Sequence, residues 1–171
     1  MRKILAIMAF VALLTFAAQA FASRADAASG VTDSGTLQGL AQVRQATAKY
    51  HDVNQALADG YVPVTGCVQL PGVGAMGIHY LNSKLASDMT IDSLRPEELL
   101  YIPSPDGPRL VGVEYFEAYV GQPAPSVFGQ TFDGPMAGHS PGMPWHYDLH
   151  TWVWQANPAG TFAQWNPSLS C

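Results

Sequence analysis

The stretch Leu110-Val111-Gly112-Val113-Glu114-Tyr115-Phe116-Glu117-Ala118-Tyr119-Val120 decides the fold. It is dense in β-branched and aromatic residues, which suit a pleated, half-buried surface. Upstream, Leu99 to Ile102 is a second apolar run, and Pro103-Ser104-Pro105-Asp106-Gly107-Pro108 reverses the chain between them. The two runs read as an antiparallel hairpin. Alternation puts Leu110, Glu114, Phe116 and Val120 on one face of the longer strand. A carboxylate in such an apolar row must be paired, neutral or bound to something.

Outward from the hairpin, the pattern changes period. Leu40, Val43, Ala46, Tyr50, Val53 and Leu57 recur at steps of three and four, the stripe of one amphipathic helix. Ser34 is its expected cap and Gly60 its stop. Tyr61 to Val64 is extended. Met76 to Leu81 reads as a short strand, with Met76, Ile78 and Tyr80 on one face and Gly77, His79 and Leu81 on the other. Downstream, residues 121–145 carry so many Gly and Pro that a loop without regular elements is expected. Tyr147 to Gln155 reads as a strand with Trp152 and Trp154 on one face. Asn157-Pro158-Ala159-Gly160 is a turn, and Thr161 to Trp165 a last short strand. The pattern predicts an α+β fold: an N-terminal amphipathic helix packed on a mostly antiparallel sheet, with a long Gly/Pro-rich loop.

The 171 residues suit one domain, expected over 36–171. Residues 1–22 read as a signal peptide. Arg2 and Lys3 precede an apolar run from Ile4 to Phe16, and cleavage is expected after Ala22. Residues 23–35 are expected to be a flexible lead-in. Periplasmic or extracellular localisation follows, with no stable membrane anchor once the leader is cleaved. In that oxidising setting Cys67 and Cys171 are expected to form a disulfide, because nothing near Cys67 would make it a reactive thiol. The net charge of -5 argues against nucleic acid as a partner.

Chemistry concentrates in the histidines. His146, Asp148 and His150 alternate along one strand, so all three share a face at steps of about 6.5–7 Å. His79 sits on its strand's face with Leu81. Three strands can therefore bring His79, Glu114 and His150 together as metal ligands, two imidazoles and one carboxylate. His146 and Asp148 are the expected catalytic helpers, with His146 as acid–base residue or fourth ligand. The ion would be divalent zinc, copper or iron. Met136, His139, Met143 and His146 alternate thioether with imidazole, a pattern that favours copper. The competing reading is structural: hydrogen-bonded core histidines, and Glu114 paired with Arg109 or Arg95.

The runs Gly77-Ile78-His79-Tyr80, Val113-Glu114-Tyr115, Leu149-His150-Thr151-Trp152 and Asn157-Pro158-Ala159-Gly160 resemble those of a family of uncharacterised secreted bacterial proteins. Its Gly-x-His-Tyr, Glu-Tyr, Leu-His-x-Trp and Asn-Pro-x-Gly motifs, with a near-terminal Cys, cover roughly residues 45–171. The resemblance implies that His79, Glu114 and His150 belong together, and implies no particular activity.

Taken together, the residues predict a secreted metal-binding protein or small His/carboxylate metalloenzyme, with a small-molecule ligand or substrate as partner and the 121–145 loop as a lid. The alternative is a metal-free extracytoplasmic protein that holds a small ligand in an aromatic-lined cleft.

Overall fold

A computed structural model of the chain describes residues 33–171. The expected leader, 1–22, and most of the expected lead-in, 23–35, lie outside the described residues. The elements run α1 (Ser34–Thr47), a 3-10 turn (Ala48–His51), α2 (Val53–Ala58), β1 (Val62–Pro63), β2 (Val68–Leu70), β3 (Gly74–Leu81), α3 (Ser83–Ala86), β4 (Glu98–Ile102), β5 (Arg109–Ala118), β6 (Ser126–Val127), β7 (Gln130–Thr131), β8 (Asp133–Met136) and β9 (His146–Thr151). The fold is α+β. A seven-stranded antiparallel sheet runs β1-β3-β4-β5-β9-β8, with β2 also paired to β3. β6 and β7 form a separate ribbon.

The β4–β5 hairpin forms with 103–108 as its loop, as the sequence predicts. Its facing pattern differs. Register slips beside Leu100, so Leu100 pairs with Gly112 while Tyr101 pairs with Leu110. That bulge gives β5 an extra residue, Val111, and reverses the alternation below it. Leu110 therefore packs in the opposite core from Val111 and away from Glu114's face. Val120 lies beyond the strand and is exposed.

The expected continuous helix is broken. Asp52 adopts an extended conformation (φ -87°, ψ 106°) and its side chain accepts from the Asn54 amide, which starts α2 afresh. The restart moves the stripe by one residue: Ala56 is fully buried, while Leu57 is exposed. The cap of α1 is Asp33 rather than Ser34; its Oδ2 accepts from the Thr36 amide at 2.8 Å.

Each sheet face has its own core. On one, Leu99, Tyr101, Leu110, Val113, Tyr115, Tyr147 and Leu149 cluster with Leu40, Val43, Tyr50 and Ala56. Burying one such aliphatic or aromatic side chain contributes about 1.5–3 kcal/mol. On the other, Ala75, Leu100, Ile102, Val111, Trp152 and Leu169 form a smaller cluster, with Cys67 against it. Trp152 and Trp154 part company, since β9 ends at Thr151 and Trp154 packs with the first cluster. Its indole N–H donates to Thr47 Oγ1.

Two loop expectations change and one holds. β6, β7 and β8 lie within residues 121–145, so that stretch is not free of regular elements. Residues 161–165 form no strand; Ala75 and Asn166 make an isolated bridge instead. The turn at Asn157 to Gly160 forms, with the Gly160 amide donating to the Asn157 carbonyl at 3.0 Å.

Cys67 and Cys171 are disulfide-bonded across a separation of 104 residues. The bridge suits an oxidising, extracytoplasmic compartment. Among the described residues no helix is long and apolar enough to cross a membrane.

Candidate metal centre

The smaller core's face carries a row of polar residues set by strand register. Glu98 on β4 pairs with Glu114 on β5, which pairs with His150 on β9. One step along, Asp148 opposes Phe116; one further, His146 opposes Ala118. His79 enters from β3, opposite Leu100. All these polar side chains are buried. The expected alternation of His146, Asp148 and His150 on one face of β9 holds. Met76 lines a cavity together with His79, contrary to the expected opposite facing. The β2–β3 register slips beside Val68, and Gly77 takes a φ of 96° that disturbs the alternation there.

Three of these groups converge. His79 Nε2 lies 3.2 Å and His150 Nε2 3.5 Å from the same oxygen, Glu114 Oε2. One donor atom from each of the three residues falls within 4.8 Å of the other two. Ligands about 2.0–2.1 Å from a tetrahedral ion stand about 3.3 Å from one another, so both contacts to Glu114 have the length of such an edge.

Hydrogen bonding does not explain the convergence. Glu114 Oε2 and both ring nitrogens of His150 are buried without a hydrogen-bond partner. Leaving such a group unsatisfied costs about 1–3 kcal/mol, and more when it is charged. The expected structural alternatives for Glu114 do not form: Arg109 donates to Gln155, and Arg95 pairs with Asp92. His79 is the oriented member. Its Nδ1 lies 3.1 Å from Thr65 Oγ1, which also accepts from the His79 amide. That contact turns Nε2 toward Glu114, the arrangement by which an outer hydrogen bond fixes a ligating imidazole.

The electrostatics follow from burial. It holds His79 below its ordinary range and lowers His150 to about 3, so both rings are neutral. It raises Glu114 well above the carboxylate range, helped by the negative Asp148. Neutral imidazoles with an unpaired carboxyl suit a cation, which takes the place of the carboxyl proton.

His146 and Asp148 lie together beside this trio. His146 Nε2 is 3.5 Å from Asp148 Oδ2. Burial works to lower His146, but the Asp148 carboxylate and the Pro144 carbonyl outweigh it and raise the ring. His146 stacks on Phe116, with ring centroids 5.0 Å apart.

A cavity of about 290 Å³ opens onto His79 and Glu114, walled by Val64, Val68, Met76, Met143 and Trp165 among others. A second, of about 470 Å³, lies against Phe116, Ala118 and the 140–144 segment. Glu98 lines both, and burial raises it to about 8. Sequence reasoning missed Glu98. Its signal was alternation, since Glu98 shares a strand face with Leu100 and Ile102, which the second core buries. Thr65 was also missed, and a single Thr in a loop carries no signal. Of the copper pattern, His139 and Met143 reach the smaller cavity, while Met136 pairs with His146 across β8 and β9.

Comparisons with protein-family models, with curated proteins and with solved structures return no match to this chain.

Proposed function

We propose that this chain is an exported metal-binding protein that holds one divalent ion between His79, Glu114 and His150. The observation that carries the reading is the convergence of two imidazole nitrogens on one buried, unpartnered carboxylate oxygen. Strands β3, β5 and β9 of one sheet supply the ligands, with β4 between the first two, so their spacing is set by strand register rather than by loop conformation. The donor set suits zinc, copper or iron. Docking of the N-terminal helix on the opposite sheet face is part of the same reading, supported by Leu40 and Val43 in the core beside Leu99 and Tyr101.

The cavity beside His79 gives a small molecule access to the ion. An ion there supplies Lewis acidity or an activated water. In the metal-free chain burial raises Glu98 to about 8, and Asp148 raises His146 against the effect of burial. Export to the periplasm or medium is supported by the disulfide and by the leader-like N-terminal sequence.

Metal analysis of protein purified without a His tag tests the reading. The expected result is at least one equivalent of bound divalent metal, with the loss of one equivalent in a folded His79→Ala/His150→Ala variant. No uptake after incubation with zinc, copper and iron salts overturns it and favours a metal-free small-ligand protein.

A further inference from the structure

We infer that the fold holds a second divalent transition-metal site, formed by His139, His146 and Asp148, whose ion fastens the 138–145 segment over the sheet. This site goes beyond the His79–Glu114–His150 ion and does not depend on it.

One donor atom from each of His139, His146 and Asp148 lies within 4.8 Å of the other two. His146 and Asp148 are fully buried neighbours on β9. His146 Nδ1 lies 3.0 Å from the Pro144 carbonyl, which can only accept, so Nδ1 carries the hydrogen. Nε2 is left as a ligand nitrogen facing Asp148. That nitrogen and both Asp148 carboxylate oxygens are buried without a hydrogen-bond partner. Among the described residues no Lys or Arg pairs with Asp148. A buried carboxylate facing an imidazole lone pair is a cation's environment.

His139 differs in kind. It is exposed and comes from the loop, with its ring centroid 5.1 Å from that of His146. It is the one ligand of the three that the sheet does not fix. It also lines the cavity that reaches His79 and Glu114. An ion shared by His139, His146 and Asp148 therefore ties the loop to β9 and sets how open that cavity is. Two nitrogens and one oxygen suit Zn(II), Cu(II) or Ni(II) rather than calcium or magnesium.

The test is zinc stoichiometry by equilibrium dialysis, with hydrogen exchange of residues 138–145. It uses the untagged wild type, His139→Ala and the His79→Ala/His150→Ala variant. His139 is exposed, so its substitution leaves the core intact. The expected wild-type stoichiometry is two, falling to one in either variant, with zinc slowing exchange of the loop in the wild type and the double variant but not in His139→Ala. A wild type that binds one ion, lost in His139→Ala and kept in the double variant, supports this site and sinks the first. Zinc uptake and loop protection unchanged by His139→Ala overturn the proposal, as does a wild type that binds no zinc.

Discussion

Glu114 and His150 are register partners on adjacent antiparallel strands, and their side chains approach to 3.5 Å with no hydrogen bond between them. A sheet puts two such groups side by side at a fixed spacing. Their mutual dissatisfaction inside the protein is what needs explaining. Natural cores keep unpaired polar groups rare.

Replacing Glu114 by Leu separates stability from metal binding. The metal-free Glu114→Leu protein is expected to be more stable than its parent by about 1–3 kcal/mol, because a buried unpaired carboxyl becomes an apolar group. Its metal uptake is expected to vanish at the trio. Urea denaturation in the presence of chelator, with metal analysis alongside, checks both. A less stable metal-free variant contradicts the account of Glu114 as an orphaned ligand.

The metal-free protein is expected to lose stability as pH rises from about 6.5 to about 8. Burial raises Glu97 to about 7, Glu98 to about 8 and Glu114 well above the ordinary 4.5. The folded chain keeps those protons after the unfolded chain has released its own. Each retained proton costs up to about 1.4 kcal/mol per pH unit, until the folded value is passed. His146, also raised, acts in the same direction. His79 and His150 are lowered by burial, so their contribution is complete above about 6.5 and is lost as pH falls toward 3. Urea midpoints in chelator between pH 6.5 and 8.5 measure the slope. Glu98→Gln should flatten it, and a midpoint that climbs with pH refutes the assignment.

Thr65→Val tests how His79 is aimed. The variant keeps the shape of the side chain and removes the contact to Nδ1. Metal affinity at the trio is expected to fall about 10–100-fold, with the stoichiometry preserved at saturating metal. Competition with a chelating dye reads the change. Unaltered affinity shows that the ring is aimed by packing alone.

Breaking the disulfide should cost up to about 4–5 kcal/mol on the chain-entropy account for a loop near 100 residues. The Cys67→Ser/Cys171→Ser double variant, compared with the parent by denaturant unfolding, measures it. A loss under about 1 kcal/mol means that the bridge mainly positions the end of the chain.

The hairpin, the Cys67–Cys171 pair and the shared face of His146, Asp148 and His150 were readable because each rests on a local rule: strand alternation, turn chemistry or cysteine count. His79, Glu114 and His150 could be grouped from their faces and motifs, but their distances depend on which strands become neighbours. What escaped was change of period. Asp52 restarts the helix, the slip beside Leu100 turns Leu110 to the other core, and Gly77 brings Met76 to the cavity. Each is a one-residue event that a periodic template averages away. Glu98 escaped because the apolar run is read as starting at Leu99, one residue after the strand begins.

The extra residue at Val111 lets a single strand serve two unlike environments. The slip lets Leu110 join Val113 and Tyr115 in the larger core, while Val111 falls to the opposite side, where Glu114 faces. Length changes along β5 should thus be unequal in effect. Losing one residue at position 111 need only straighten the strand, whereas losing one between 112 and 118 would turn Glu114 or its companions inside out.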